Sequence, residues 1–276
     1  MSANLDFQKV NEWGGLRGFT NLFSKEKGAW WGTHRWWINA LLWTVLLCGM
    51  TAIMLFMSHE EVNNATEAEI AQAGGLIAYV LLMGLNAFFE FGVPVLAIGT
   101  IILAQDLIIG EKQNGVAEWL LSKPVTRSAY VLAKAAANAL GMVSILVGLP
   151  SIVAYGMLSV YMGVLFPLAP FLSAVGIMTV HTLFYLTLTL MLGTIFNNRG
   201  PILGIALGFL LGGGLLGNLF EPIIYVTPLM LPNIALQAAS AQAIPIELGI
   251  APLAATALWS VVFIFVALVK FEKMEF

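Results

Sequence analysis

Few residues of this chain could do chemistry, and three of them lie inside long apolar stretches. Glu90 and His181 each lie near the middle of such a stretch, and Asn86 lies one helical turn before Glu90. An ionised side chain at mid-membrane is costly unless it is paired or hydrated, so these residues are candidates for a translocation pathway. The same residues could instead make structural polar contacts between helices, and the sequence leaves both interpretations open.

The other reactive residue types do not form a recognisable catalytic or metal site. Met50, Met54 and Met57 recur at helical spacing, and thioethers can bind copper(I), but no His or Cys accompanies them, so we expect apolar packing. The single cysteine, Cys48, excludes a disulfide framework. The sequence contains neither an H-E-x-x-H nor a G-x-S-x-G motif. We therefore expect no catalytic residue and no metal site.

The apolar stretches that hold these residues are typical of membrane-spanning helices. The chain is 59% hydrophobic and 10% charged, whereas soluble domains are about 45–50% apolar and about 25% charged. Because about 20 apolar residues cross a bilayer, we predict an all-α membrane protein with six spans. Their approximate bounds are 36–57, 76–107, 130–162, 171–196, 201–220 and 251–269. Residues 1–35 form a separate amino-terminal segment, and residues 36–276 form the membrane domain.

The positive residues predict the orientation of these spans. All 12 Lys and Arg residues lie before the first span, around the loop between the second and third, between the fourth and fifth, or after the sixth. The segments between the other pairs of spans carry no Lys or Arg, and their charged residues are acidic, such as Glu60 and Glu247. Since positive residues accumulate in cytoplasmic loops, we expect both termini in the cytoplasm. The net charge of −3 gives no basic surface for nucleic acid, so we expect no such partner.

The amino-terminal segment predicts a helix that lies in the membrane interface. Leu16, Phe19 and Leu22 recur at near-helical spacing among charged residues, which is the pattern of an amphipathic helix in contact with lipid. Trp residues at positions 30, 31, 36 and 37 surround the entry to the first span. Their amphipathic rings suit the headgroup layer of a membrane.

Two other segments have a distinctive small-residue or proline pattern. Gly204, Gly208 and Gly212 line one face of the fifth predicted span. Such spacing lets two helices approach closely in lipid, either within one chain or between two copies.

Residues 221–249 are apolar but contain four prolines. Because backbone polar groups in hydrocarbon must be satisfied internally, we expect short helices that dip back from the outer face.

The loop between the second and third spans is the most specific stretch of the sequence. It reads GEKQNGVAEWLLSKPVTRSAYVLAK from Gly110 to Lys134. Asn114 and Gly115 predict a turn, a short amphipathic helix follows, and Pro124 ends that helix. A short amphipathic helix flanked by charges is suited to docking on a soluble partner, although such a loop could also lie on the bilayer surface.

This loop resembles that of the permeases of ATP-binding-cassette (ABC) exporters of the ABC-2 type. Their loop reads Glu, a few polar residues, Gly-Thr, then Leu-Leu, a small polar residue, one variable position, Pro, Val or Ile, Ser or Thr, Arg, and several residues later Gly or Ala before Lys. The matching positions here are Glu111, Gly115, Leu120, Leu121, Ser122, Pro124, Val125, Thr126, Arg127, Ala133 and Lys134. Val116 departs from the pattern, because the family usually has Thr there.

The resemblance implies a multi-pass permease of a prokaryotic cytoplasmic membrane, paired with a second permease copy or a paralogue. Its loop would be a coupling helix that docks on a separate ATPase subunit through Glu118 and the side of Leu120 and Leu121. The implied coupling residues are Glu111, Lys112, Gly115, Glu118, Leu120, Leu121, Pro124 and Arg127. The proline-rich segment resembles the family's outer re-entrant helices. The implied gate residues are Glu221, Pro228 and Pro232.

ATP is expected to bind the partner subunit and not this chain. The sequence contains no G-x-x-x-x-G-K-[ST] motif and no Gly-Lys pair, so the phosphate-binding loop of an ATPase is missing. We therefore expect ATP and Mg²⁺ in the ATPase, and no cofactor here. Two alternatives remain open: a membrane anchor or mechanical transducer for an ATPase, and a secondary transporter, which usually shows repeated halves.

Overall fold

The computed structural model describes residues 14–220, 222–242 and 246–274, and every regular element in these ranges is a helix. The prediction of an all-α protein is confirmed. Five helical stretches are long and apolar enough to cross a membrane: Arg35–Phe56, Leu76–Gln113, Arg127–Met162, Leu168–Ile195 and Gly249–Glu272. They correspond to the first four predicted spans and the sixth.

The helices are numbered along the chain. They are α1 (Phe19–Trp31), α2 (Arg35–Phe56), α3 (His59–Asn64), α4 (Glu67–Ala73), α5 (Leu76–Leu85), α6 (Gly92–Ala104), α7 (Ile109–Gln113), α8 (Val116–Leu121), α9 (Arg127–Met142), α10 (Leu149–Met162), α11 (Leu168–Ile195), α12 (Arg199–Leu219), α13 (Pro222–Tyr225), α14 (Leu231–Ala239) and α15 (Ile246–Glu272). Two π-helical segments, Asn86–Phe91 and Val143–Gly148, join α5 to α6 and α9 to α10, and a 3₁₀ turn, Pro228–Met230, precedes α14.

The fifth predicted span corresponds to α12, which runs over Arg199–Leu219. Its stretch Arg199–Gly213 counts among the shorter apolar helices of the described residues. Ile202 and Ala206 are fully buried and pack against α11 and α6. Helix length and composition therefore support five crossings among the described residues, and a sixth at α12 stays a prediction.

Residues from distant parts of the sequence meet at one end of the bundle, here called the basic end. Arg199, at the start of α12, forms an ion pair of 2.8 Å with Asp106, just beyond α6. Arg127, at the start of α9, donates a hydrogen bond of 2.7 Å to the carbonyl of Met274, just beyond α15. The opposite end carries α3 and α4 with acidic residues such as Glu60, and is called the acidic end.

Prolines change the winding of two spans. Pro94 and Pro150 have no N–H, so the carbonyls of Glu90 and Leu146, four residues earlier, lose their helical donor. Each of these carbonyls lies in a π-helical segment. The sequence predicts a kink at Pro94, and the structure shows one turn of π-helix just before it. Such turns occur frequently at functional sites.

The proline-rich segment forms short helices that pack deep in the bundle. Ile234 and Ala235 of α14 are 3% and 0% exposed, and α14 contacts α11 and the π-helical segment midway along the second span. Pro228 opens the 3₁₀ turn and Pro232 lies in the first turn of α14, where a missing N–H costs no hydrogen bond. Glu221, the third predicted gate residue, lies outside the described residues.

Candidate functional site

Gly115 sets the shape of the loop between α7 and α8. Its φ of 68° lies in the left-handed region, which glycine adopts without strain. A Cβ at this position would meet no atom within 4 Å. The backbone conformation, and not a lack of space, therefore requires glycine here. The first turn of α8 closes with a 3.1 Å bond from the Trp119 N–H to the Gly115 carbonyl.

One side of α8 is open to the surroundings. Glu118, Ser122 and Lys123 are exposed, and Trp119 is 62% exposed. The Lys123 ammonium lies 5.1 Å from the centroid of the Trp119 ring, within the range of a cation–π interaction. Tryptophan and charged residues on one exposed face form a surface suited to a protein partner, because tryptophan is enriched at the energetic centres of interfaces.

Leu120 and Leu121 lie on the other side of α8. Both are half-buried and pack against a cluster that contains Leu22, Ile108 and Tyr130. Both leucines thus contact the chain's own core, and their contact with a partner together with Glu118 stays a prediction. In an amphipathic helix the apolar side turns to the protein core, and here that core belongs to the same chain.

A buried ion cluster, formed by Lys25, Glu26, Glu111, Tyr130 and Lys134, attaches the loop to α1 and α9. The Lys134 ammonium lies 2.8 Å from Glu26 and 3.1 Å from Glu111, and its side chain is 4% exposed. Lys25 donates a hydrogen bond of 2.7 Å to Glu111, and the Tyr130 hydroxyl donates one of 2.6 Å. Two ammonium groups thus balance two carboxylates, as a buried ionic group requires.

Further contacts fix both ends of the loop. Gln113 donates a hydrogen bond of 3.0 Å to the carbonyl of Asn197, beyond α11. The Thr126 hydroxyl donates one of 2.8 Å to the Gly15 carbonyl. Gly18, with φ of 86°, lies so close to Val125 that a Cβ would come within 2.8 Å of that side chain. The loop is thus held by the amino-terminal segment on one side and by the end of α11 on the other.

Arg127, predicted as a coupling residue, makes its described contacts inside the chain. Its guanidinium donates hydrogen bonds to the carbonyls of Phe271, Glu272 and Met274 at the end of α15. A cation at a helix carboxyl terminus satisfies free carbonyls and interacts favourably with the helix dipole. Next to it, the Tyr130 ring stacks on Phe271 with 4.9 Å between centroids. The loop is thereby connected to the last helix as well.

The candidates for a translocation pathway are only partly brought together. Asn86 donates a hydrogen bond to the carboxylate of Glu90 within the π-helical segment, and both are half-buried. His181 is 1% exposed and packs against the Tyr185 ring, and its Nδ1 has no hydrogen-bond partner among the described residues. Within the described ranges, no hydrogen bond or ion pair joins His181 to Glu90.

The glycine row of α12 faces away from the rest of the chain. A Cβ at Gly204, Gly208 or Gly212 would meet no atom within 4 Å among the described residues. The opposite side of α12, with Ile202 and Ala206, is the side that packs inside the bundle. Within the described ranges, the row therefore does not serve close packing between two helices.

A comparison with protein families decides the class of this molecule. A model described as ABC-2 family transporter protein matches residues 21–276. The chain belongs to this family. The match spans most of α1, the loop from Gly110 to Lys134 and all later helices, so the prediction of an ABC-2 type protein is confirmed at the level of the family. Together with its membrane-spanning helices, it makes the chain a multi-pass membrane protein. A comparison with curated proteins gave no match.

Several residues that hold this ABC-2 loop in place were not predicted from the sequence. Leu22, Glu26 and Trp30 follow one another at intervals of four along α1 and are all buried. Trp30, expected in the headgroup layer, donates a hydrogen bond of 2.8 Å to Asn138 of α9, whereas the other three tryptophans of that region are 40–45% exposed. A carboxylate between two apolar residues of the same face was the available signal for a buried ion pair.

The described ranges of this ABC-2 protein contain no group of three or more His, Cys, Asp or Glu side chains that could hold a metal ion. Of the predicted methionine row, Met50 and Met54 lie together with Met83 along a groove between α2 and α5. The free thiol of Cys48 is buried and donates to the carbonyl of Pro150 at 3.3 Å. These sulfur atoms therefore belong to helix packing and to the groove.

Proposed function

We propose that this chain is the permease subunit of an ABC exporter, and that α8 couples it to a separate ATPase subunit. The observation that carries the proposal is the two-sided loop. Glu118 and Trp119 are exposed at the tip of the basic end, while the ion cluster and Arg127 fix the loop to α1, α9 and α15. A rigidly mounted helix with an exposed face can transmit a displacement of its partner to the membrane helices.

The positive-inside rule supports a cytoplasmic location of the basic end. Both termini and α8 would then face the cytoplasm of a prokaryotic cell, where an ATPase has access to ATP and Mg²⁺. In this orientation α12 is the fifth of six spans, and α13 and α14 are re-entrant helices at the outer face. The contact of α14 with the π-helical segment around Glu90 supports a role for Pro228 and Pro232 in an outer gate.

The open face of α12 supports assembly with a second permease. Gly204, Gly208 and Gly212 present bare backbone on a face that no described part of the chain covers. Small residues at this spacing let helices of two subunits approach closely in lipid. A second copy of this chain, or a paralogue, would fill this position.

The test is co-purification of the permease with its ATPase, followed by measurement of ATP hydrolysis. Glu118→Lys inverts an exposed charge, and Gly115→Val strains the turn by about 1–2 kcal/mol. Both variants should lose the partner or its activity. Matched controls are Glu61→Lys, at an exposed carboxylate of the acidic end, and Gly163→Val, which has φ of 76° and no atom within 4 Å of its Cβ.

Two outcomes would contradict the proposal. If Glu118→Lys and Gly115→Val keep the partner at wild-type activity, α8 does not couple the subunits. If the complex hydrolyses ATP but moves no solute in proteoliposomes, the chain is an anchor or mechanical transducer for the ATPase.

A further inference from the structure

A groove opens between α2 and α5 at the depth of the first π-helical segment. Its volume is about 270 Å³. Its chemically distinctive lining residues are Met50, Met54, Tyr79, Met83, Asn86 and Phe91. Asn86 holds the Glu90 carboxylate by a hydrogen bond. The Glu90 carboxylate is thus one hydrogen bond away from a groove lined by thioether and aromatic side chains, through the lining residue Asn86.

Within the described ranges, no Lys or Arg side chain lies at the depth of Glu90. The positive residue that reaches furthest into a span, Lys134, already lies between Glu26 and Glu111. All other Lys and Arg residues belong to the segments at the ends of the predicted spans. A second copy of the chain has the same sequence, so it could not supply such a residue either. A carboxylate at mid-membrane is costly unless a counter-charge reaches it.

We propose that this groove binds a lipophilic organic cation. This proposal rests on the proposed permease function and names the class of cargo that the permease would carry. The cationic centre would pair with Glu90. Phe91, which is 62% exposed, and Tyr79 would offer ring faces to the cation. Met50, Met54 and Met83 would contact its apolar part, since methionine adapts to irregular shapes. The groove is open towards the lipid, from which such a compound partitions.

A larger cavity at the acidic end supports a direction of movement. Its volume is about 720 Å³, and it shares Tyr79 and Leu82 with the groove. Its mouth carries Glu69 and Gln242. Hydrogen bonds from the backbone and hydroxyl of Thr66 hold the pKa of Glu69 below its usual range, so this carboxylate remains charged at neutral pH. A cation that leaves the groove thus meets a second negative charge at the acidic end.

The test measures equilibrium binding of tetraphenylphosphonium to the full chain in lipid nanodiscs, with tetraphenylborate as a control of the same shape and opposite charge. Glu90→Gln should weaken saturable tetraphenylphosphonium binding about tenfold, or about 1.4 kcal/mol, without weakening tetraphenylborate binding. Phe91→Leu keeps the carboxylate and the apolar volume but removes a ring, so it should weaken the same binding. Glu61→Gln, an equal change at an exposed carboxylate of the acidic end, should bind as the wild type does.

The outcomes separate this proposal from the permease assignment. If Glu90→Gln and Phe91→Leu bind tetraphenylphosphonium as tightly as Glu61→Gln, the cation site is wrong even while the chain still co-purifies with an ATPase. If Glu90→Gln does not fold, the Phe91→Leu variant tests the cation site. Weaker tetraphenylphosphonium binding by this variant supports the site, and binding at the wild-type value contradicts it. Failure to bind any ATPase would overturn the permease assignment and leave the binding result standing.

Discussion

Lys134 and Glu111, the last and first residues of the motif that resembles the ABC-2 loop, form an ion pair of 3.1 Å. They lie in different helices, α9 and α7, and Glu26 of α1 shares the same ammonium at 2.8 Å. The motif that identifies the loop is thus also the part that attaches it to the membrane helices. A displacement of α8 can therefore reach α1 and α9 through one buried ammonium group.

Loss of this ammonium should destabilise the fold. Lys134→Met removes the ammonium group 2.8 Å from the buried Glu26 and leaves this carboxylate with Lys25 at 3.7 Å, and breaking a buried pair in this way costs about 3 kcal/mol. The free energy of unfolding in detergent should fall by that order, whereas Lys27→Met, at an exposed position of α1, should change it little. Adding Glu26→Gln to Lys134→Met should restore part of the loss. Equal stability of the two lysine variants would contradict a structural role for the cluster.

Arg127 should control the end of the last helix. Arg127→Gln removes the guanidinium that bonds to the carbonyls of Phe271, Glu272 and Met274, and such caps contribute about 1–2 kcal/mol. Amide hydrogen exchange at the end of α15 should therefore accelerate, while exchange in α11 should not. Lys123→Gln, in the same loop, serves as the control. Unchanged exchange at the end of α15 would show that the cap contributes nothing measurable.

The positions of the helices could be predicted from hydropathy, because an apolar stretch of sufficient length has few other stable arrangements in lipid. The predicted spans 130–162 and 171–196 correspond to Arg127–Met162 and Leu168–Ile195. The π-helical segments could not be predicted. A proline in the sequence indicates that the carbonyl four residues earlier loses its helical hydrogen-bond donor. Whether the helix then forms a π-helical turn depends on the neighbouring helices against which it packs.

The candidate site was predicted in part, for a related reason. Local spacing indicated the Gly115 turn and the end of α8 before Pro124, since both depend on the backbone of a few residues. The packing of Leu120 and Leu121 on the inward side of α8 was not predicted, because the cluster that they contact includes Leu22 of α1, almost one hundred positions earlier in the sequence. Contacts between such distant segments leave no periodic signal in a single sequence.

The orientation of the bundle can be tested by thiol labelling in intact cells. In a Cys48→Ala background, cysteines at Asn64 and Gln242 should react with an impermeant reagent added outside, because both positions are exposed at the acidic end. A cysteine at Gln113, exposed at the basic end, should react only after the membrane is permeabilised. The reverse labelling pattern would place the basic end outside the cell.

The glycine row of α12 gives the sharpest test of assembly. Gly208 is exposed, and a Cβ there would meet no atom of the described part of its own chain within 4 Å, so Gly208→Leu should leave the folded subunit intact. In a dimer packed along this row, the added side chain would separate the two backbones and weaken association about tenfold, or about 1.4 kcal/mol. Gly156→Leu makes the same change at an exposed glycine of α10 that also has open space. Native mass spectrometry in detergent should show loss of the dimer for Gly208→Leu only, and a dimer that persists in both variants would place the subunit interface elsewhere.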